Sequence, residues 1–207
     1  VARIIDRRLT SRGYEYRVLW LHKRRRSRRY YQRTWEPKHL LLDDNFGPEV
    51  DLVDRWLALC LFNAFQKAAE LADRPDIVTE DDINSFVDFE LQHYNLDLTR
   101  GTSWKVFCVF LRGLRDDGRH FVYKDLVCDN FAPAGRRGER VLSEVQLLNG
   151  LYIVAAYNHQ FVGHAFVLLV RDKHRRVFDG PKEKAVTAMT WINFVAFIRP
   201  FIVFERE

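Results

Sequence analysis

The feature that most constrains this 207-residue chain is a pair of short apolar segments that carry one histidine and one aspartate. The first segment begins with Gly163 and His164 and continues through residue 170, and the second ends at Asp179. Apolar runs of this length, separated by a few polar residues, predict two adjacent antiparallel strands. His164 begins the first strand and Asp179 ends the second, so we expect their side chains to lie close together.

Helical patterns come before these strands. Apolar residues recur at helical spacing over residues 50–72, which predicts one helix that carries Cys60. Thr79, followed by acidic residues, is a typical N-cap for a second helix that extends to about Tyr94. A third helix is predicted over residues 103–114. The first half of this region is therefore expected to be helical.

The later region favours strands. We predict a short strand at residues 121–123, a loop at residues 132–138 and a short helix at residues 139–148. Further strands are expected at residues 151–157, 164–171, 175–179 and 184–188, followed by a helix at residues 190–198 and a closing strand at residues 201–204. Helices followed by antiparallel strands indicate an α+β fold.

The charge distribution divides the chain into two modules. Residues 1–44 contain thirteen Lys or Arg and five Asp or Glu, a net charge of +8, and the remainder has a net charge of −3, which together give the overall +5. Turn-forming residues cluster at 43–48, so we place a small module at residues 1–46 and a larger one at residues 47–207. Such asymmetry predicts modules with different partners.

Cysteine usage and hydropathy limit the classes of protein to consider. Three widely spaced cysteines, at positions 60, 108 and 128, argue against a disulfide framework and favour a reducing intracellular compartment. No Cys/His spacing is typical of a zinc site, so we expect neither a metal nor a cofactor. No apolar run has the length of a membrane-spanning helix, so we expect no membrane partner.

The first module resembles a chromodomain over about 45 residues. The resemblance rests on residues 1–8, on residues 14–20 and on Thr34-Trp35-Glu36-Pro37. It implies a curled β-meander and an aromatic cage that holds methylated lysine through cation–π attraction. Trp20 matches one cage position, and Tyr30 or Tyr31 is the candidate for another, which makes a histone tail a candidate partner.

A basic segment interrupts this module. Six of its seven residues are cationic, namely Lys23, Arg24, Arg25, Arg26, Arg28 and Arg29. As a nucleic-acid contact, the segment would neutralise backbone phosphates, and the neighbouring tyrosines would stack on unpaired bases. The alternatives are a nuclear import signal or a solvated loop. We expect a nuclear, or otherwise cytoplasmic, location.

The second module resembles papain-like cysteine peptidases. Residues 60–65, Cys-Leu-Phe-Asn-Ala-Phe, resemble the helix start of ovarian-tumour-type deubiquitinases, and Gly163-His164 and Asp179 are similar to the base and orienting positions of papain-like families. The resemblance implies Cys60 as nucleophile, His164 as general base and Asp179 as the residue that orients the histidine. It also implies a protein substrate or a ubiquitin-like protein as partner.

Several readings of these residues stay open. In the deubiquitinase pattern a polar loop precedes the cysteine, but apolar residues precede Cys60 here. If one helix runs through this segment, Cys60 lies mid-helix as a core residue. It would then lack the positive charge of a helix start and an oxyanion site. Asp54 is the nearest polar residue for that oxyanion role, and His159 is the fallback base. Cys108 is expected to be structural and Cys128 to be the more exposed of those two thiols.

These observations leave three functional hypotheses. The first is a chromodomain-linked thiol hydrolase that cleaves peptide or isopeptide bonds. The second is a non-catalytic chromatin or nucleic-acid binder with a degenerate peptidase fold, which includes an origin in a gypsy-type retroelement, whose polyproteins carry chromodomains. The third is a basic virulence or regulatory protein without either activity.

Overall fold

The fold is α+β, as the sequence predicts. The computed structural model describes residues 2–23, 29–123, 128–131, 138–159, 161–180 and 182–204. A small antiparallel sheet is followed by a helical region and then by a larger antiparallel sheet.

A three-stranded antiparallel meander begins the chain. Its strands are β1 (Ala2–Thr10), β2 (Gly13–Lys23) and β3 (Arg29–Pro37), in that spatial order. Gly13 ends the first turn at a φ of 109°, in the region that favours glycine. The β2–β3 hairpin is paired as far as Lys23 opposite Arg29.

Five helices follow the meander in the described residues. They are α1 (Lys38–Asp43), α2 (Gly47–Ala58), α3 (Cys60–Leu71), α4 (Glu80–Tyr94) and α5 (Trp104–Asp116). Thr79 caps α4 as predicted, because its side chain accepts a hydrogen bond from the Asp82 N–H while the Asp82 carboxylate accepts one from the Thr79 N–H.

The prediction of one continuous helix over residues 50–72 is wrong. The chain forms two helices, and they are separated at Leu59, which has φ −86° and ψ 30°. Neither glycine nor proline lies at this break, so the local sequence gives no signal for it.

The larger sheet has seven strands in the described residues. They are β4 (Phe121–Tyr123), β5 (Cys128–Phe131), β6 (Gly150–Tyr157), β7 (Gly163–Arg171), β8 (His174–Asp179), β9 (Lys182–Ala185) and β10 (Phe194–Val203). The spatial order is β4–β10–β6–β7–β8–β9, and β5 also pairs with β10. The helix α6 (Gly138–Glu144) precedes β6 and is shorter than predicted.

The predicted helix over residues 190–198 is also wrong, because most of this segment belongs to β10. Val195, Ile198 and Phe201 are buried, a spacing of three that imitates a helix. A register shift between Val195 and Phe197 puts Val195 and Ile198 on one face of the strand, where both join the same core cluster, whereas Phe201 is buried in the other cluster on the opposite face. Pairing with β6 on one side and with β4 and β5 on the other stabilises the strand conformation.

An aromatic core fixes α3 on the sheet. Phe62 and Phe65 are fully buried, and their rings meet Phe107 with centroids 5.2 and 5.9 Å apart. Phe65 also meets Phe121 and Phe201, each at 5.1 Å. Burial of each ring contributes about 1.5–3 kcal/mol, so the position of α3 is strongly determined.

The meander packs on the helical region through its own apolar cluster. Ile4, Tyr16 and Val18 of the meander are buried together with Leu41 of α1 and Val50 of α2. The cluster crosses the predicted boundary at residue 46, and the division into residues 1–46 and 47–207 stays a prediction.

Within the described part of the chain, the helices are too short or too polar to cross a membrane. The described His, Cys, Asp and Glu side chains form no group of three or more that could hold a metal ion.

Candidate active site

His164 and Asp179 lie side by side at one end of the larger sheet. β7 and β8 are antiparallel, with Val167 opposite Phe178, so the start of β7 lies beside the end of β8. Nε2 of His164 is 2.7 Å from Oδ1 of Asp179. The two side chains are 10% and 17% exposed. The structure therefore brings together the histidine and the aspartate that the sequence places on neighbouring strands.

Lys184 of β9 binds the other oxygen of Asp179. Its Nζ is 2.6 Å from Oδ2, so each carboxylate oxygen has a nitrogen partner. Burial raises the pKa of Asp179, but the positive charges of His164 and Lys184 and their hydrogen bonds lower it well below its usual range. Asp179 therefore remains a carboxylate that accepts a hydrogen bond from the imidazole.

The ring of Trp191 lies against the imidazole of His164. The two ring centroids are 6.0 Å apart with an interplanar angle of 64°. Trp191 is buried and also contacts Phe166. An apolar ring at this position keeps water away from the His164–Asp179 pair and so strengthens their attraction.

Cys60 is the first residue of α3 and not a mid-helix residue. The expectation of a mid-helix thiol is corrected by the break at Leu59. The first N–H groups of a helix have no intrahelical acceptor, and the positive end of the helix dipole lies there. α3 packs against β7, the strand that carries His164, and the Cys60 side chain is half-buried.

The Cys60 thiol and the His164 imidazole influence each other's protonation. Burial raises the pKa of Cys60, but His164, the Ala165 backbone N–H and the Arg7 charge together lower it below its ordinary value. Burial lowers the pKa of His164, whereas Asp179 and Cys60 raise it to about 10. Together these effects favour a thiolate beside an imidazolium.

The two ring nitrogens of His164 have different surroundings. Nε2 is bound to Asp179, which leaves Nδ1 for the thiol. Nδ1 is buried and has no hydrogen-bond partner among the described residues. Hydrogen bonds between catalytic groups are often long or poorly aligned until the substrate binds.

A cleft of about 1050 Å³ opens at Cys60 and His164. The cleft is lined from the meander by Arg7 and Tyr14, and from the segment before and at the start of α5 by residues 101–104. Ala155 and Ala156 of β6 also line the cleft, and Ala156 is paired with His164 of β7. Cavities that bind ligands have volumes of about 300–1,000 Å³, so this cleft is large enough for a segment of polypeptide.

Asp54 does not serve as a hydrogen-bond donor to an oxyanion, the role considered for it from the sequence. Its carboxylate accepts hydrogen bonds from Arg7 (2.6 Å) and Tyr16 (2.5 Å) at Oδ1 and from Lys38 (2.7 Å) at Oδ2. Burial raises the pKa of Asp54, but these three partners lower it overall. An ionised carboxylate has no proton to donate, so the candidate oxyanion donors are the N–H groups of the first turn of α3, which begins at Cys60.

The alternative site residues lie elsewhere. His159 is exposed in the β6–β7 loop, as predicted for the loop. Cys108 is half-buried on α5, where burial raises its pKa although Arg199 and two other arginines oppose the shift. Cys128 lies on β5, and its side chain is outside the described part of the structure.

The candidate residues of the first module are only partly described. Trp20 donates from Nε1 to Thr34 Oγ1 at 2.7 Å and meets the Phe46 ring edge-on at 5.8 Å. Its indole thus takes part in packing within the module. The predicted basic residues Arg24, Arg25, Arg26 and Arg28 lie outside the described residues, as do the side chains of Lys23, Arg29, Tyr30 and Tyr31.

Sequence reasoning missed Lys184, Trp191 and Arg7 as neighbours of the site. A signal for Lys184 did exist, because a tight turn at Gly180 places Lys182 opposite Asp179 and Lys184 diagonally across from it. Trp191 and Arg7 reach the site only through packing between elements that are distant in sequence.

No family model matches this chain, and comparison with curated proteins and with solved structures finds no match.

Proposed function

We propose that this protein is a papain-like thiol hydrolase that cleaves peptide or isopeptide bonds. The observation that supports the proposal is that the imidazole of His164, held by Asp179 at 2.7 Å from its Nε2, lines the same cleft as the Cys60 thiol and interacts electrostatically with it. A nucleophile next to a base that a third residue orients is the arrangement used in covalent acyl transfer.

The reaction would proceed in two steps. In the first, the Cys60 thiolate attacks the scissile carbonyl carbon, His164 gives its proton to the leaving amine, and the C–N bond breaks to leave a thioester. In the second, water attacks the thioester and gives a proton to His164, the carboxylic acid leaves, and the thiolate re-forms.

Asp179 and α3 would supply the electrostatic stabilisation. Asp179 keeps the proton of Nε2 in place, so that Nδ1 exchanges the mobile proton. Negative charge that develops on the carbonyl oxygen would be stabilised by the N–H groups at the start of α3, next to Cys60.

The substrate of this reaction would be a protein, including a ubiquitin-like protein joined through an isopeptide bond. The cleft beside Cys60 is wide and is lined on several sides by different elements. The small side chain of Ala155, which lines the cleft and is partly exposed, suits the close approach of a polypeptide backbone.

We also propose that residues 1–46 bind nucleic acid or a histone tail and act in the nucleus. β2 ends at Lys23 and β3 begins at Arg29, which are the first and last residues of the basic segment in the sequence. The net charge of +8 over residues 1–44 supports a polyanionic partner. Trp20 is the described member of the proposed methyl-lysine cage.

Two observations favour a second function, a non-catalytic binder of chromatin or nucleic acid with a degenerate peptidase fold. Nδ1 of His164 has no aligned hydrogen bond among the described residues, and Cys60 is half-buried. A site that has lost its activity would keep this architecture without a reactive thiol.

Covalent labelling separates the two functions. The protein is incubated with ubiquitin or a peptide that carries a C-terminal electrophile, and adducts are located by mass spectrometry. Hydrolase function predicts an adduct on Cys60 that Cys60→Ala removes and His164→Gln strongly reduces, while the matched control Cys108→Ala retains it. Folded protein that forms no adduct on Cys60 would support the binder instead.

A further inference from the structure

The meander contacts both halves of the candidate site. On the nucleophile side, Arg7 of β1 binds Asp54 of α2, the helix that precedes Cys60. On the base side, the Tyr14 hydroxyl donates to the carbonyl oxygen of Gly163 at 3.4 Å, next to His164. The β1–β2 turn is also bound, because Asn158 Nδ2 donates to the Thr10 carbonyl oxygen at 3.1 Å.

Arg7 occupies a central position among these contacts. Its side chain is only 6% exposed and lines the same cleft as Cys60 and His164. Nη1 is 2.6 Å from Oδ1 of Asp54, and the guanidinium lies 3.8 Å above the centroid of the Tyr14 ring. A guanidinium held by a carboxylate and an aromatic face has little freedom to move.

We propose that Arg7 is a positioning residue of the thiol site, through which the meander fixes the end of α2 and places a permanent positive charge beside Cys60. The proposal rests on the proposed role of Cys60 as nucleophile. On this proposal residues 1–46 contribute to the thiol site itself, in addition to any binding function they have.

The first part of the role concerns geometry. Asp54 lies six positions before Cys60 and is held by three donors, all from residues 1–46. These contacts anchor α2 just before the break at Leu59, and the break makes Cys60 the first residue of α3. Loss of the Arg7 contact would loosen the helix end on which the orientation of the thiol depends.

The second part concerns charge. Charged and titratable groups from several elements line the cleft, and they are His164, Asp54, Asp51, Asp97, Lys38, Tyr14 and Arg7. Asp179 acts on this set through its contact with His164. Lys38 is 45% exposed, so water and salt screen its charge. The Arg7 side chain is only 6% exposed, so solvent and salt screen its charge much less. Its charge would therefore stabilise the thiolate.

The test is the rate of alkylation of Cys60 by iodoacetamide as a function of pH, followed peptide by peptide with mass spectrometry. In Arg7→Met the alkylation rate at pH 7 should fall roughly tenfold, the effect of removing one partly buried charge, and its midpoint should move to higher pH. Arg7→Gln keeps a donor for Asp54 but no charge, so its midpoint should move in the same direction. Arg7→Lys should retain most of the wild-type rate.

Arg8→Met is the matched control, because Arg8 is on the same strand but is exposed and pairs with Glu15. Arg7→Met and Arg7→Gln profiles that coincide with the wild type, or an equal change in Arg8→Met, would overturn the proposal. Failure of both uncharged variants to fold would also overturn it, since Arg7 would then serve the fold and not the site. A wild-type Cys60 that resists alkylation up to high pH would contradict the hydrolase itself, so the two failures are distinguishable.

Discussion

Lys184 and His164 bind opposite oxygens of one carboxylate: Nζ of Lys184 lies 2.6 Å from Oδ2 of Asp179, and Nε2 of His164 lies 2.7 Å from Oδ1. Asp179 is therefore held on both sides and cannot rotate without the loss of an ion pair. This carboxylate therefore fixes the orientation of the imidazole.

Asp179→Asn should reduce hydrolysis or probe labelling by a factor of about 10²–10⁴, because an amide holds the ring but no longer stabilises the imidazolium. The measurement is the second-order rate constant for labelling of Cys60 at pH 7. Glu183→Gln is the matched control, since this exposed acid of β9 pairs with Arg176 and not with His164. Equal rates in Asp179→Asn and wild type would contradict the assigned role.

Lys184→Met should raise the pKa of Asp179 towards its ordinary value, because one of the charges that lower it is removed. Asp179 then becomes protonated at higher pH than in the wild type. The acid limb of the pH profile for labelling should shift upwards, with little change at pH 7. Arg176→Met, which removes an exposed cation from β8, should leave the acid limb in place.

The His164–Asp179 pair should stabilise the fold over a defined pH range. The pKa of His164 is raised from 6.5 to about 10, so its contribution is complete below pH 6.5 and is lost as the pH rises through about 10. The pKa of Asp179 is lowered, so its contribution is present above about pH 4 and is lost as the pH falls. The difference in free energy of unfolding between wild type and His164→Gln should therefore be largest between about pH 4 and pH 6.5. Urea titrations at several pH values measure this difference. A difference that grows towards pH 10 would contradict this sign.

Gly163→Ala should destabilise the protein by about 1–3 kcal/mol, because a Cβ there would lie 2.8 Å from Cε1 of Tyr157. The ring would have to shift beside the start of β7, so labelling of Cys60 should also slow. Gly113→Ala is the control, since a Cβ on that residue of α5 meets no atom within 4 Å. It should stabilise by about 0.5–1 kcal/mol through helix propensity. Thermal unfolding and labelling rates together test both variants.

A triple variant should weaken nucleic-acid binding and reduce its salt dependence, and it combines Arg24→Ala, Arg25→Ala and Arg26→Ala. Each lost phosphate contact reduces the steepness of the plot of log affinity against log salt concentration by about 0.9 for duplex DNA. Fluorescence anisotropy at several salt concentrations measures both quantities. The control is the double variant Arg112→Ala with Arg115→Ala, which removes positive charge from α5 and should leave the affinity nearly unchanged. Affinity that is unchanged in the triple variant would remove nucleic acid from the proposed partners of residues 1–46.

The sequence was sufficient for elements whose signals are local. The strands that became β6, β7 and β8 were predicted to within one residue at each end, because apolar runs and turn residues bound them. Thr79 and Ser103 marked the starts of α4 and α5, because their side chains accept hydrogen bonds from N–H groups of the first turn. The closeness of His164 and Asp179 followed from strand order alone.

Elements whose conformation depends on contacts with residues distant in sequence could not be predicted from local patterns. The break at Leu59 has no glycine or proline, and the nearby Asp54 is held by residues of the meander. Val195, Ile198 and Phe201 have helical spacing, and only pairing with β4, β5 and β6 makes the segment a strand. The family resemblance places Cys60 at a helix start and the continuous apolar pattern places it mid-helix, so the structure was needed to decide between these two predictions.

The place of β10 in the sheet has a consequence for biosynthesis. This strand lies between β6 on one side and β4 and β5 on the other, yet the ribosome makes it after all of them. Until residues 194–203 have emerged, β6 has an open edge, and Phe65 of α3 lacks its partner Phe201. A nascent chain with Cys60, His164 and Asp179 already translated would thus have an incomplete hydrophobic core, so maturation of the thiol site would await the last strand of the sheet.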